Sequence, residues 1–183
     1  RRCLDWSGLE AKRVHVCHNS IDLNGFSPGP KNERLVGRYS LRGKQVILTL
    51  GRLSCEGRFK GFDEVLEVMP ALSRVLPNLV YMIAGAGPDM ERLREKAHRL
   101  NIADKVIFTG FVAEDEKQAH YRLADVYAMP SRGEGFGIVL LEAMACGIPV
   151  VGSKADGSYE ALRGGKLGIL VDPTRPADVK AGI

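Results

Sequence analysis

No stretch of 18 consecutive apolar residues occurs in the chain, so no membrane-spanning helix is expected. No secretory signal is visible either. Cysteine is scarce: Cys3, Cys17, Cys55 and Cys146 fall at irregular intervals. That argues against a disulfide frame and for reduced cytosolic thiols. Cys3, His15, Cys17 and His18 are near one another, but their spacing fits none of the usual zinc patterns, so no metal site is expected. The basic residues are scattered and the net charge is only +4, so nothing points to nucleic acid. A small anion, or mild attraction to an anionic membrane surface, suits this balance. A Walker loop is missing, because no Gly-Lys-Ser or Gly-Lys-Thr occurs. Gly85-Ala86-Gly87 lacks the third glycine of the dinucleotide fingerprint, and no acid stands at the end of the next strand. The start at Arg1 rather than Met points to a fragment or a processed chain.

What is present is an ordinary globular composition, with 183 residues, 45% apolar and 26% charged. The length allows one substantial core. A short strand is expected over Arg13 to His18, and the Gly, Pro, Asn and Ser content of residues 19–43 predicts linker and loop. Apolar runs then predict strands at 45–50, 79–84, 106–109, 126–129, 150–153 and 168–171. Between them lie predicted helices at 62–76, 88–100, 113–123, 138–146 and 157–163. Pro70 falls inside the first of these and threatens a kink. Strand and helix alternating at least five times predict an α/β Rossmann-like fold, a doubly wound parallel sheet in three layers. Ligands of such folds sit at the carboxyl ends of the strands.

The segment Ser131 to Ser153, SRGEGFGIVLLEAMACGIPVVGS, carries the strongest chemical signal. A Gly-Phe-Gly turn opens a helix, which presents free N–H groups and a positive dipole end to phosphate. Glycine at 135 and 137 allows close approach of a ligand. Glu134 and Glu142 flank this seat. A carboxylate repels phosphate but accepts hydrogen bonds from hydroxyls, so the layout suits a nucleotide sugar. Glu142 could instead be an ordinary helix-surface acid, although its neighbours Leu141, Ala143 and Met144 are apolar. Gly51-Arg52 and Lys60-Gly61 place two cations at one strand end, with Arg58 in reserve; they suit a multiply charged anion or are plain surface cations. Gly85-Ala86-Gly87 alone is most simply a tight turn. Gly110 could let a flat base lie against Phe111 and Val112, or merely end a strand.

Glu134 to Val151 closely resembles the Glu-(seven residues)-Glu motif of retaining glycosyltransferases of family 4, which have the GT-B fold. Gly51-Arg-Leu-Ser, Phe59-Lys-Gly-Phe-Asp63, Ile83-Ala-Gly-Ala-Gly-Pro88 and Val106-Ile-Phe-Thr-Gly-Phe-Val112 match in order and spacing, and the likeness covers residues 13–173. The resemblance implies a C-terminal, donor-binding GT-B domain. Residues 1–18 would be a remnant of the acceptor domain, 19–43 the interdomain linker and 44–183 the nucleotide-sugar domain. Asn19 and Asp22 match the family's crossover segment, where Ser20 replaces the usual glycine. By resemblance, Arg52 and Lys60 neutralise the diphosphate, and the backbone of Gly135, Phe136, Gly137, Ile138 and Val139 completes its seat. Gly51, Gly85 and Gly87 belong to the donor-binding loops. Val112 would meet the base, Glu142 the ribose hydroxyls and the catalytic-site acid Glu134 the transferred sugar. The donor would be a UDP- or GDP-sugar, with no cofactor and no metal. The acceptor, a glycan, a lipid-linked or a small molecule, would be held by the missing N-terminal domain. The isolated fragment is therefore expected to bind nucleotide but to transfer sugar poorly. A cytoplasmic place is expected, with the inner face of the membrane as an alternative. The competing expectations are a noncatalytic nucleotide-binding module, a sugar-nucleotide epimerase or a phosphorylase of the same fold.

Overall fold

The computed structural model describes residues 10–15, 17 and 19–183. Six strands form one sheet: β1 (Gln45–Leu50), β2 (Leu79–Ala84), β3 (Val106–Gly110), β4 (Val126–Ala128), β5 (Val150–Ser153) and β6 (Ile169–Val171). Their order is β3-β2-β1-β4-β5-β6, and every pairing is parallel. The helices are α1 (Glu33–Arg38), α2 (Phe62–Val75), α3 (Met90–Arg99), α4 (Lys117–Tyr121), α5 (Ile138–Ala145), α6 (Ser158–Ala161) and α7 (Pro176–Gly182).

Alternation along the strands sends side chains to two cores. Val46, Leu48, Met82, Tyr127 and Val150 pack with Leu35, Val36, Tyr121, Leu140 and Leu162 on one face of the sheet. Ile47, Tyr81, Ile83, Ala128 and Val151 pack with Val65, Leu66, Met69, Leu93 and Val179 on the other. The result is the three-layered Rossmann-like sheet expected from the sequence. Helix α2 runs through Pro70 without a break. A proline inside a helix costs about 3 kcal/mol. Burial of Val65, Leu66, Val68, Met69 and Leu72 outweighs it, at about 1.5–3 kcal/mol for each large side chain.

Several local expectations are corrected. Among the described residues 10–15 and 17 there is no strand: Ala11–Arg13 form a 3-10 turn, and Val16 and His18 lie outside the description. Cys3 and most of residues 1–18 also lie outside it. The 19–43 stretch contains α1, capped by Asn32 Oδ1, which accepts from the Arg34 and Leu35 amides. Its buried Leu35 and Val36 join the core. The 113–123 helix is shorter, a 3-10 turn at Glu114–Glu116 followed by α4. Pro88 lies in the turn before α3, which starts at Met90. Helix α7 was not foreseen, although Pro176 at its start is a recognised signal.

The strand order decides where a ligand can sit. From β1 the chain winds outward to β2 and β3, and from β4 outward to β5 and β6. The loops leaving β1 and β4 therefore part in opposite directions and leave a crevice at their carboxyl ends.

Candidate functional site

The β1 loop and the β4 loop meet at this crevice and are stitched together. Gly61 enters α2 with φ 87°, and a Cβ there would stand 2.8 Å from Pro130, so only glycine allows the contact. The Arg132 amide donates to the Phe59 carbonyl at 2.7 Å. Lys60 Nζ donates to Glu134 Oε2 at 2.8 Å, with both side chains mostly buried, at 26% and 17% exposed. Thus the cation expected to meet phosphate and the acid expected to meet sugar touch each other. The other oxygen, Glu134 Oε1, accepts from the Gly135 amide at 3.1 Å.

Gly137 then turns the chain into α5 with φ 92°, a left-handed value that glycine adopts without strain. A cavity of about 320 Å³ is lined by Asn19, Lys60 and Glu134, followed by Gly135, Phe136, Gly137, Ile138 and Val139. The amides of the first helical turn and Lys60 offer donors to an anion here, while the Glu134 carboxylate, paired with Lys60, offsets the lysine charge until a ligand competes for it.

Glu142 lies one turn into α5 on the same face as Ile138, and both line a larger cavity of about 710 Å³. Its side chain is only 7% exposed, which removes the surface-acid alternative. Oε2 accepts from the Tyr121 hydroxyl at 2.6 Å, and Oε1 lies 3.6 Å from Lys117 Nζ. Burial pushes the Tyr121 hydroxyl well above its usual pKa, and the nearby Tyr127 and Glu142 add to this, so Tyr121 is a donor at any ordinary pH. Glu142 keeps acceptor capacity for two further donors.

A third cavity, about 370 Å³ and mainly apolar, is lined by Gly51, Arg52, Gly85, Phe111, Val112 and Lys117. Phe111 is 80% exposed and Val112 is buried beside it. Lys117 joins this cavity to the Glu142 one. Arg52 is exposed and makes no hydrogen bond or ion pair among the described residues, so its guanidinium is free for an anion. Arg58 is directed elsewhere, to Asp89 Oδ1 at 3.3 Å. Gly85 and Gly87 serve the backbone. A Cβ on Gly85 would lie 1.9 Å from the Gly51 carbonyl oxygen, and one on Gly87 2.0 Å from that of Leu53. These approaches hold the β1 and β2 loops side by side, through Gly51 N–H to Ala84 O and Leu53 N–H to Ala86 O.

All the site residues expected from the sequence therefore lie on the carboxyl edge of the sheet, although Gly87 lines none of the three cavities. Four contributors were missed. Lys117 and Tyr121, spaced to share one helix face, meet Glu142 only through tertiary packing. Ser131 and Asp156 brace the β4 loop. The Asp156-Gly157 dipeptide is a turn signal that could have drawn notice.

Fold and site together define a Rossmann-like unit with a cluster of cavities at its topological switch point. The sequence model of the family described as "Glycosyl transferases group 1" matches residues 37–183, so the chain belongs to that family. It is 39% identical over 162 residues to the GDP-mannose-dependent alpha-(1-6)-phosphatidylinositol monomannoside mannosyltransferase of Mycolicibacterium smegmatis, covering 84% of this chain and 42% of that protein. It is 36% identical to the D-inositol 3-phosphate glycosyltransferase of Geodermatophilus obscurus, over 100% of this chain and 42% of the relative. Anabaena Alr3699/HepE, solved in complex with UDP and glucose, superposes with a TM-score of 0.80 at 26% identity, over 98% of this chain and 49% of that one. The C-terminal domain of the Francisella tularensis group 1 protein LpcC superposes with a TM-score of 0.72 at 25% identity, over 88% and 85%. The chain thus spans less than half the length of those two sequence relatives. The unit is a Rossmann-like sheet domain that matches half of a GT-B glycosyltransferase, and no helix among the described residues is long and apolar enough to cross a membrane.

Proposed function

We propose that the chain is the donor-binding domain of a retaining glycosyltransferase of family 4, taking a UDP- or GDP-sugar. The observation that carries this is the row of three cavities along one sheet edge. An apolar slot beside Val112 suits a base. The buried, partly unsatisfied Glu142 carboxylate suits a pair of ribose hydroxyls. The amides of Gly135 to Val139, with Arg52 and Lys60, suit a diphosphate. Glu134 at the far end suits the sugar.

In this reading, bond cleavage leaves negative charge on the diphosphate and positive charge on the sugar ring. Arg52, Lys60 and the α5 dipole stabilise the first without a metal: Lys60 is already held at the seat by Glu134, and the free Arg52 guanidinium reaches in from the neighbouring cavity. The Glu134 carboxylate orients the sugar and stabilises the second. The Lys60–Glu134 ion pair holds both side chains at the seat before the donor arrives, and an entering diphosphate competes for Lys60. The residues preceding the sheet would lead from an acceptor domain, so the chain alone is expected to bind donor and to transfer sugar poorly, if at all. Relatives that use GDP-mannose and a structural neighbour that holds UDP support both bases as probes.

Calorimetric titration with UDP, GDP, UDP-glucose and GDP-mannose tests the reading. Binding in the micromolar range, weakened by Lys60→Ala, is expected. No binding of any of the four at millimolar concentration would refute it.

A further inference from the structure

The β4 loop carries Glu134, but its shape is set from the next loop. Asp156, between β5 and α6, accepts three hydrogen bonds. Oδ2 takes the Ser131 hydroxyl at 2.6 Å and the Glu134 amide at 2.9 Å, and Oδ1 takes the Ser158 amide at 3.0 Å. Ser131 and Ser158 are fully buried, so these donors have no water to turn to. The neighbouring Gly157 amide donates to the Glu134 carbonyl at 2.9 Å. A Cβ on Gly157 would lie 2.1 Å from the Gly135 carbonyl oxygen, so the two loops are in backbone contact. Glu134 is therefore clamped at both its amide and its carbonyl by the Asp156-Gly157 turn, while its carboxylate is held by Lys60.

We propose that Asp156 is a positioning residue for the donor sugar, acting through Glu134. The proposal rests on the donor-binding reading above. A carboxylate reaching a sugar hydroxyl must be placed to within a few tenths of an ångström, and the backbone that carries it sets that position. Only a carboxylate can fill the role of Asp156. Its two oxygens face two backbone amides, which can donate and never accept. Asparagine would turn its NH2 group toward one of these N–H groups, and the loop would have to shift.

Asp156→Asn is the test, with this chain titrated by a nucleoside diphosphate and by the matching nucleotide sugar, GDP with GDP-mannose and UDP with UDP-glucose. In the wild type the sugar adds affinity, read as the ratio of the two Kd values. In the variant that ratio is expected to shrink by about five- to tenfold, a part of the roughly 10- to 150-fold that a whole hydrogen bond to a charged group contributes, since Glu134 is displaced and not removed. The diphosphate Kd should change less than the sugar-nucleotide Kd, because Arg52 and the Ile138 and Val139 amides make no contact with Asp156, although Gly135 and Lys60 are tied to Glu134. In a Glu134→Ala background the same change should have no further effect on the ratio, as a residue acting through Glu134 requires. Ser131→Ala, which removes one donor to Oδ2, should shift the ratio in the same direction and carries the test if Asp156→Asn does not fold.

A parallel loss of diphosphate and sugar-nucleotide affinity, or an unchanged ratio, would overturn the role of Asp156 and leave the donor-binding reading standing. A wild-type chain that binds none of the four probes would overturn both.

Discussion

Replacing Glu142 with alanine separates two consequences of one carboxylate. The Tyr121 hydroxyl, fully buried, loses the acceptor that it meets at 2.6 Å. A buried donor left unpaired costs about 1–3 kcal/mol. Lys117 loses a weaker partner at 3.6 Å but keeps Glu114 at 2.8 Å, so this adds little. Alanine is also the better helix former by a few tenths of a kcal/mol, which offsets part of the loss. The net expectation is a destabilisation of about 1–2 kcal/mol, or a melting point lower by about 3–6 °C for a domain of this size. Affinity for UDP or GDP should fall further, by about 10- to 150-fold, if the carboxylate holds ribose hydroxyls. Adding Tyr121→Phe removes the orphaned hydroxyl. The double variant should regain most of the lost stability and none of the lost affinity. Thermal unfolding by circular dichroism and calorimetric titration read the two effects separately. A folded Glu142→Ala variant with wild-type affinity would refute the ribose role. An unchanged melting point would refute the weight given to the Tyr121 hydrogen bond.

Lys60→Ala should weaken nucleoside diphosphate binding by about tenfold and flatten its dependence on salt, measured by titration at two ionic strengths; an unaltered salt dependence would count against a phosphate contact. Gly85→Ala should cost about 3 kcal/mol or more, read in urea unfolding, because its Cβ would collide with the Gly51 carbonyl and its φ of 146° resists a side chain; a neutral result would show that the β1 and β2 loops can part cheaply. Burial raises the Asp63 carboxyl, but hydrogen bonds from Arg92 and Lys96 outweigh it and hold it at about 2, below the 3.8 of a free side chain. A depressed acid stabilises the fold above its unfolded value and loses this contribution as pH falls, here between about 4 and 2. Asp63→Asn should therefore be less stable than the wild type at pH 6, and the gap should narrow toward pH 2. A gap that persists unchanged at pH 2 would rule out the ion pair as its source.

Much of the architecture was legible because periodicity reports burial directly. The continuous apolar run of β2, short and bounded by Pro77-Asn78 and Gly85, suits an interior parallel strand, and Phe62, Val65, Leu66, Met69 and Leu72 recur at the spacing of one helix face. The local misreadings share a cause. Residues 33–38 and 176–182 are short helices whose stability comes from docking Leu35, Val36 and Val179, and segments of that length carry too few positions for a period to show. Pro70 was a false alarm for the opposite reason: local propensity lost to a deeply buried stripe. The site was legible as a set of residue types at strand ends. Its internal pairings were not, since Lys60 with Glu134 and Tyr121 with Glu142 join residues 74 and 21 positions apart.

The amino-acid sequence by itself determined the α/β alternation, the glycine-opened helix at 138 and the two acids eight positions apart, because each follows from neighbours along the chain. The tertiary structure alone decided which carboxylate oxygen is spoken for. It buries Glu142 against Tyr121, ties Glu134 to Lys60 and seats its backbone on Asp156. Those contacts cross loops that only the strand order brings together, and hydrogen bonds depend on distance in space rather than along the chain.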